Sequence, residues 1–135
     1  MVEADGTLQK FKINAVTKTA DYTVVAADSG TFFNNLGAAG AVVFTLPTAT
    51  DGLFFVFTAA VLAQNVTVTA TPVDTMVVFN DIAADSIAFS TANRIAGNSV
   101  LVWSDGAKWY TALALAFDGL TATALGGAGN ATVAT

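Results

Sequence analysis

Short apolar runs separated by turn-forming residues recur along most of this chain. The clearest is "NVTVTAT" at residues 65–71, in which Val66 and Val68 alternate with Thr67 and Thr69. Successive side chains of a strand point to opposite faces, so this pattern predicts a strand with one buried and one solvated face. No window keeps an apolar period of 3.6 residues long enough to predict a helix instead.

Further runs of similar length are rich in Val, Thr and Phe. Turn residues such as Asp28-Ser29-Gly30 and Asp51-Gly52 separate them at intervals of roughly 8 to 12 residues, a spacing typical of β-sandwiches and barrels. The prediction is an all-β protein, an antiparallel β-sandwich with a jelly-roll-like arrangement. The runs occupy residues 22–27, 41–47, 52–60, 65–72, 75–80, 85–91, 98–106 and 108–115.

The run "GLFFVF" at residues 52–57 does not alternate. A membrane-spanning helix needs about 20 apolar residues, and this run is too short and follows Asp51 directly. It therefore predicts a strand covered on both faces, by the core on one side and by a loop, an arm or a neighbouring subunit on the other, with a partner favoured because charge is sparse. Which parity faces the core stays open. The candidate oligomer interface is Leu53, Phe54, Phe55, Val56 and Phe57.

The stretch "VLVWSDGAKWYTAL" at residues 100–113 predicts a hairpin around Asp105-Gly106. Trp103 and Trp109 flank this turn, and Tyr110 follows. One interpretation places the aromatic rings in the core or over one open end of the sandwich, which is the commoner fate of such rings in small β domains. The alternative is a candidate glycan-stacking platform formed by Trp103, Trp109 and Tyr110.

Composition indicates that the protein works in contact with other chains. Hydrophobic residues make up 54% of the 135 residues and charged residues 11%, against roughly 25% charged residues in ordinary domains. A lone domain of this size would have a poorly solvated surface, so we expect burial against copies of itself or on a larger assembly. The net charge of −5, with scattered basic residues, argues against nucleic acid and anionic membranes as partners.

Candidate chemistry is sparse. The chain has no Cys and no His, which excludes thiolate sites and removes the commonest general base. Asp81 and Asp85 could act as an acid–base pair or bind calcium, but aspartates in such turns usually accept hydrogen bonds from nearby backbone. Ser29 lacks a basic partner and is predicted to be inert. No enzymatic activity, cofactor or metal is predicted.

The ends differ in composition from the middle. Residues 1–19 form a mixed N-terminal segment, 20–117 the predicted domain, and 118–135 a tail of Gly, Ala and Thr with little to bury. Without a partner, the tail is expected to be disordered. The acidic start without an apolar stretch predicts no secretory leader.

Several spaced motifs resemble a known module. They are "Y-T-V-x-A-A-D-S-G-T" (22–31), "V-x-F-T-L-P-x-A-x-x-G-x-x-F-x-F" (42–57), "V-T-V-T-A" (66–70) and "S-V-L-V-W-S-D-G-A-K-W-Y" (99–110). Together they resemble a β-sandwich module of tailed-bacteriophage virion proteins, found in tail fibres, spikes and capsid decoration (cement) proteins. The resemblance covers about residues 20–115, and its motifs mark turns, not catalytic groups.

The resemblance implies a structural role, often as a homotrimer. The short chain is most like a decoration protein that binds the major capsid protein on the outer surface of the virion, after synthesis in the host cytoplasm. The alternative is a tail-fibre or spike adhesion module that binds a host surface glycan through the aromatic platform. The candidate capsid contact is Leu8, Lys10, Phe11, Lys12 and Ile13 in the N-terminal segment.

Overall fold

The computed structural model describes residues 12–90, 95–118, 121–123 and 131–134, and these are almost entirely strands and turns. The helix within these ranges is a single 3-10 turn at Ala26–Asp28, and none of the described residues belongs to a helix that could span a membrane. The strands are β1 (Asn14–Thr17), β2 (Tyr22–Thr23), β3 (Thr31–Asn34), β4 (Val42–Thr45), β5 (Phe54–Thr58), β6 (Val66–Thr69), β7 (Met76–Val78), β8 (Asp81–Ala84), β9 (Ser86–Phe89), β10 (Ser99–Ser104), β11 (Trp109–Asp118), β12 (Thr121–Thr123) and β13 (Ala131–Ala134).

The strands form two sheets, which confirms the all-β prediction. The first sheet has the order β1-β3-β5-β10-β11-β7-β8, and β12 pairs with β11. The second sheet has the order β13-β9-β6-β4-β2.

The first six strands alternate between the sheets. β1, β3 and β5 are parallel neighbours in the first sheet, and β2, β4 and β6 are parallel neighbours in the second. Each odd strand and the even strand after it therefore form one coil of a parallel two-sheet roll. The prediction of purely antiparallel pairing is wrong for these strands, and the jelly-roll arrangement is not confirmed. The turns between them carry the chain across to the other sheet, not back along the same one.

The second half of the chain is largely antiparallel. β7 and β8 form a hairpin with Val78 opposite Asp81, and Phe79 in its two-residue turn has φ 53°, as the first residue of such tight turns requires. Asp85 alone separates β8 in the first sheet from β9 in the second. β10 and β11 form the hairpin predicted around Asp105-Gly106, with Ser104 opposite Trp109.

One apolar core lies between the two sheets. In the first sheet Val16, Phe33, Phe57 and Val100 stand side by side on successive strands. Phe44 from the second sheet meets this row, with its ring centroid 4.9 Å from Phe57 and 5.5 Å from Phe33. These cross-sheet ring contacts fix the inner face of each sheet and, with it, the outer faces.

Both terminal segments contribute strands to the sheets. β1 lies within the predicted N-terminal segment, yet it pairs with β3 and its Val16 packs against the core. β12 and β13 lie in the predicted tail and pair with β11 and β9. Backbone pairing, which needs no large side chains, is what incorporates these small-residue segments into the sheets.

Candidate interaction surface

The parity of β5 is settled by burial. Phe55 and Phe57 are fully buried in the core, whereas Phe54 is 40% exposed and Val56 is half-buried on the outer side. Phe55 and Phe57 therefore cannot take part in a surface contact, which corrects the predicted interface at these two positions. Leu53 precedes the strand, half-buried against the core. Within β5, Phe54 and Val56 are the apolar side chains on the outer side.

Neighbouring strands extend this exposed side into a continuous apolar surface. Strand register places Phe54, Trp103, Tyr110 and Val77 in one row across β5, β10, β11 and β7. A second row, beside it, crosses β3, β5, β10 and β11. We call the two rows together the apolar outer face: Phe32, Phe54, Val56, Val77, Leu101, Trp103, Tyr110 and Ala112.

The aromatic row contains the most exposed part of this face. Trp103 is 41% exposed, and its ring stacks on that of Tyr110 with centroids 4.5 Å apart and planes at 18°. The Tyr110 hydroxyl donates a hydrogen bond of 2.9 Å to Asp105 Oδ2. Because Trp103 and Tyr110 lie directly opposite each other on β10 and β11, their two rings form one aromatic platform, and the hydrogen bond to Asp105 connects it to the turn.

Asp105 holds the hairpin turn together through its carboxylate. Its Oδ1 accepts hydrogen bonds from the backbone N–H groups of Ala107 and Lys108, at 2.9 and 3.0 Å. These two bonds, followed by the one from Tyr110, lower the pKa of Asp105 because they favour its ionised form. The same carboxylate raises the pKa of the Tyr110 hydroxyl, since ionisation would remove the donated hydrogen bond.

Trp109 does not belong to the aromatic platform, which corrects the predicted trio. Its side chain is fully buried on the inner side of the sheet, with its ring 5.8 Å from Phe55. Its indole N–H donates to the carbonyl of Pro47 at 3.3 Å. The hairpin pairs Ser104 with Trp109 and Trp103 with Tyr110. Trp103 therefore shares a face with Tyr110, and Trp109, one position before Tyr110, lies on the other face of the sheet.

The outer face of the second sheet has a different chemistry. Thr23, Thr45, Thr69 and Ser86 form one row across β2, β4, β6 and β9. The row beside it contains Val43, Thr67 and Ala88. Hydroxyl and small side chains thus cover this face, whereas aromatic and aliphatic side chains cover the apolar outer face. The apolar outer face therefore gains more from excluding water.

Asp81 and Asp85, the two candidates for an acid–base pair, both accept hydrogen bonds from backbone N–H groups. Asp81 accepts through its carboxylate, whose Oδ1 lies 2.8 Å from the Ala83 nitrogen. Asp85 accepts through its main-chain carbonyl, from the N–H of Ala70 at 2.9 Å. Among the described residues, no cluster of acidic side chains is suited to hold a metal ion.

The candidate capsid contact falls only partly within the described residues. Leu8, Lys10 and Phe11 lie outside them, whereas Lys12 and Ile13 are exposed just before β1. Ile13 is 45% exposed. These two residues are therefore accessible to solvent immediately before the first strand of the first sheet.

Sequence reasoning missed Phe32, Val77, Leu101 and Ala112 as members of a shared surface. A signal existed for Leu101, because "SVLVWS" alternates and puts Leu101 on the same side as Trp103. No local signal existed for Phe32, since its place beside Val56 depends on the parallel pairing of β3 with β5.

In comparisons with known proteins, no protein-family model and no curated protein matches the chain.

Proposed function

We propose that this protein is a structural component of a virion, a decoration (cement) protein that binds and stabilises an assembled phage capsid as a homotrimer. The observation that carries the proposal is the apolar outer face, an uncharged surface across β3, β5, β10, β11 and β7 whose exposed aromatic residues call for a protein partner. The packing of two sheets on one core supports the proposal only at the level of an all-β, two-sheet architecture.

Stabilisation would operate by mass action. A protein that binds the assembled capsid but not its dissociated subunits stabilises the shell by RT ln(1 + [L]/Kd), about 2.7 kcal/mol per site at a hundredfold excess over Kd. A trimer that contacts several capsid subunits at once binds more tightly through effective concentration. The exposed Lys12 and Ile13, with the segment before them, are the proposed contact with the major capsid protein.

The proposal is tested on phage particles prepared with and without this protein. We expect particles that lack it to release DNA at a lower temperature, and purified protein added back to restore the original temperature. A dye that fluoresces on free DNA during a temperature ramp measures the release. Equal release temperatures for the two kinds of particle would refute the stabilising role.

A second candidate function is glycan adhesion at a tail fibre or spike, favoured by the exposed stack of Trp103 on Tyr110. Flat aromatic rings with a polar edge suit a ligand that is partly apolar and partly hydroxylated. On a glycan array, Trp103→Ala should abolish any binding by the wild type, whereas Tyr110→Phe, which keeps the ring, should retain most of it. Absence of wild-type binding would eliminate this candidate.

A further inference from the structure

We infer that the apolar outer face binds a second copy of this chain, and this inference rests on the proposed homo-oligomer. Two of the five residues predicted as an interface, Phe54 and Val56, lie on this face, and the other positions come from strands distant in sequence. The interface inferred from the structure therefore spans five strands, whereas the interface predicted from the sequence lay on one strand.

The size of the face matches what a stable contact requires. A fully exposed aromatic side chain offers about 150–250 Å², so Phe54 and Trp103, at 40% and 41% exposure, expose on the order of 150 Å² together. The half-buried members raise the apolar surface to roughly 400 Å², within the range of functional patches. A standard interface buries about 800 Å² per partner, of which about 56–58% is non-polar. The polar row of Asn34, Thr58 and Ser99 would form part of the rim.

The distribution of charge suits a copy of the same chain. The net charge of −5 would make two copies repel each other, but no member of the apolar outer face carries a formal charge. Asp51 and Asp105 are exposed at the turn end of the face, where Gly52 N–H donates to the Ser104 carbonyl and the Tyr110 hydroxyl donates to Asp105. Two or three copies can therefore bring their faces together while their carboxylates stay in solvent.

The geometry of the face also suits self-association. Sheets pack face to face at about 10 Å when both facing surfaces are apolar, and a second copy supplies such a surface at the same concentration. Three faces turned toward a shared axis would shield all three aromatic rows from water at once, as the proposed trimer requires. The hydroxyl-covered outer face of the second sheet would then remain in solvent.

Charge substitutions on the two outer faces test the inference. Sedimentation velocity over a concentration series would compare the wild type with Phe54→Asp and Trp103→Asp. The matched control is Thr67→Asp, which places the same charge on a central strand of the second sheet. We expect the apparent dissociation constant to rise at least tenfold for the first two variants and to change less than twofold for the control. Circular dichroism of each variant checks that the sheets persist.

The outcomes separate the inference from the proposed function. If the wild type associates and all three variants associate equally well, self-association uses another surface and the inference is wrong, while the capsid role stands. If Phe54→Asp and Trp103→Asp still associate but no longer bind particles, the face belongs to the capsid contact and the inference is again wrong. A wild type that stays monomeric at micromolar concentration would overturn both the inference and the proposed trimer.

Discussion

At the scale of single residues, alternation along a strand separates side chains that look equivalent in the sequence. Phe54 and Phe57 both belong to the "FFVF" run, yet Phe57 is fully buried and Phe54 is 40% exposed. Trp103 and Trp109 flank one turn and face opposite sides of the first sheet. The role of each aromatic residue therefore depends on its parity relative to the core, because adjacent strand positions occupy different environments.

The parity of β5 gives a prediction for stability. Phe57→Ala removes a ring that packs 4.9 Å from Phe44 and 5.4 Å from Phe33, so we expect a loss of about 3–5 kcal/mol in the free energy of unfolding. Phe54→Ala, the matched control on the outer side, should cost about 1 kcal/mol or less under monomeric conditions. Urea unfolding at low protein concentration measures both. Equal losses would contradict the assigned parity.

Asp105 gives a prediction for pH dependence. The folded pKa of Asp105 is lowered, so its contribution to stability is present above its unfolded pKa of about 3.9 and is lost as pH falls through the folded value. Asp105→Asn should therefore reduce the acid-induced loss of stability below about pH 4. Thermal unfolding between pH 7 and pH 2 measures this. Asp51→Asn is the control, since the Asp51 side chain accepts no hydrogen bond from the described residues; an equal effect would contradict the prediction.

At the scale of elements, the parallel roll is held by contacts between successive coils. The turn before β3 lies against the start of β5: Gly30 N–H donates to the Phe54 carbonyl at 2.8 Å, and Phe54 N–H donates to the Ser29 hydroxyl oxygen at 3.2 Å. Gly30 has φ 86°, which favours glycine. The residues identified in the sequence as a turn are thus also part of the contact between coils, a role that the sequence pattern does not reveal.

Asn35 provides the corresponding contact at the other end of β3 and leads to a third prediction. Its fully buried Oδ1 accepts from Ala60 N–H at 2.7 Å, while its Nδ2 has no hydrogen-bond partner among the described residues. Asn35→Ala would leave the Ala60 N–H unpaired, so we expect a loss of about 1–3 kcal/mol. Chemical denaturation measures it, with the exposed Asn65→Ala as the control. An unchanged midpoint for Asn35→Ala would show that this contact is not stabilising.

At the scale of the whole molecule, the two outer faces divide the surface into an apolar side and a hydroxyl-covered side. Burial of the apolar side between copies, as proposed, would account for the low content of charged residues, 11% of the chain. The division into two sides also separates the roles proposed for the protein. In the proposal, self-association would use the outer side of the first sheet, and capsid binding would use the segment that precedes β1.

The separation of roles gives a fourth prediction. Because β1 begins at Asn14 and pairs with β3, deletion of residues 2–13 removes the whole proposed contact and leaves the strand intact, whereas a deletion extending to residue 18 would remove the strand. We expect the shorter deletion to keep the oligomer and to lose at least tenfold in affinity for capsids. Co-sedimentation with particles measures the affinity, with Thr67→Asp as a full-length control. Undiminished binding would place the capsid contact elsewhere.

The sequence by itself determined where the strongly patterned strands form, since alternation and turn residues act over a few neighbours, as at 65–71 and at the Asp105-Gly106 hairpin. It did not predict β1, β3, β8, β12 or β13. It left open which face of β5 is buried and how β1 to β6 pair. Only the tertiary structure decided these, because a turn such as Asp28-Ser29-Gly30 reverses the chain equally well within one sheet or across to the other. The choice depends on which distant residues share the core, and the apolar outer face exists only once that choice is made.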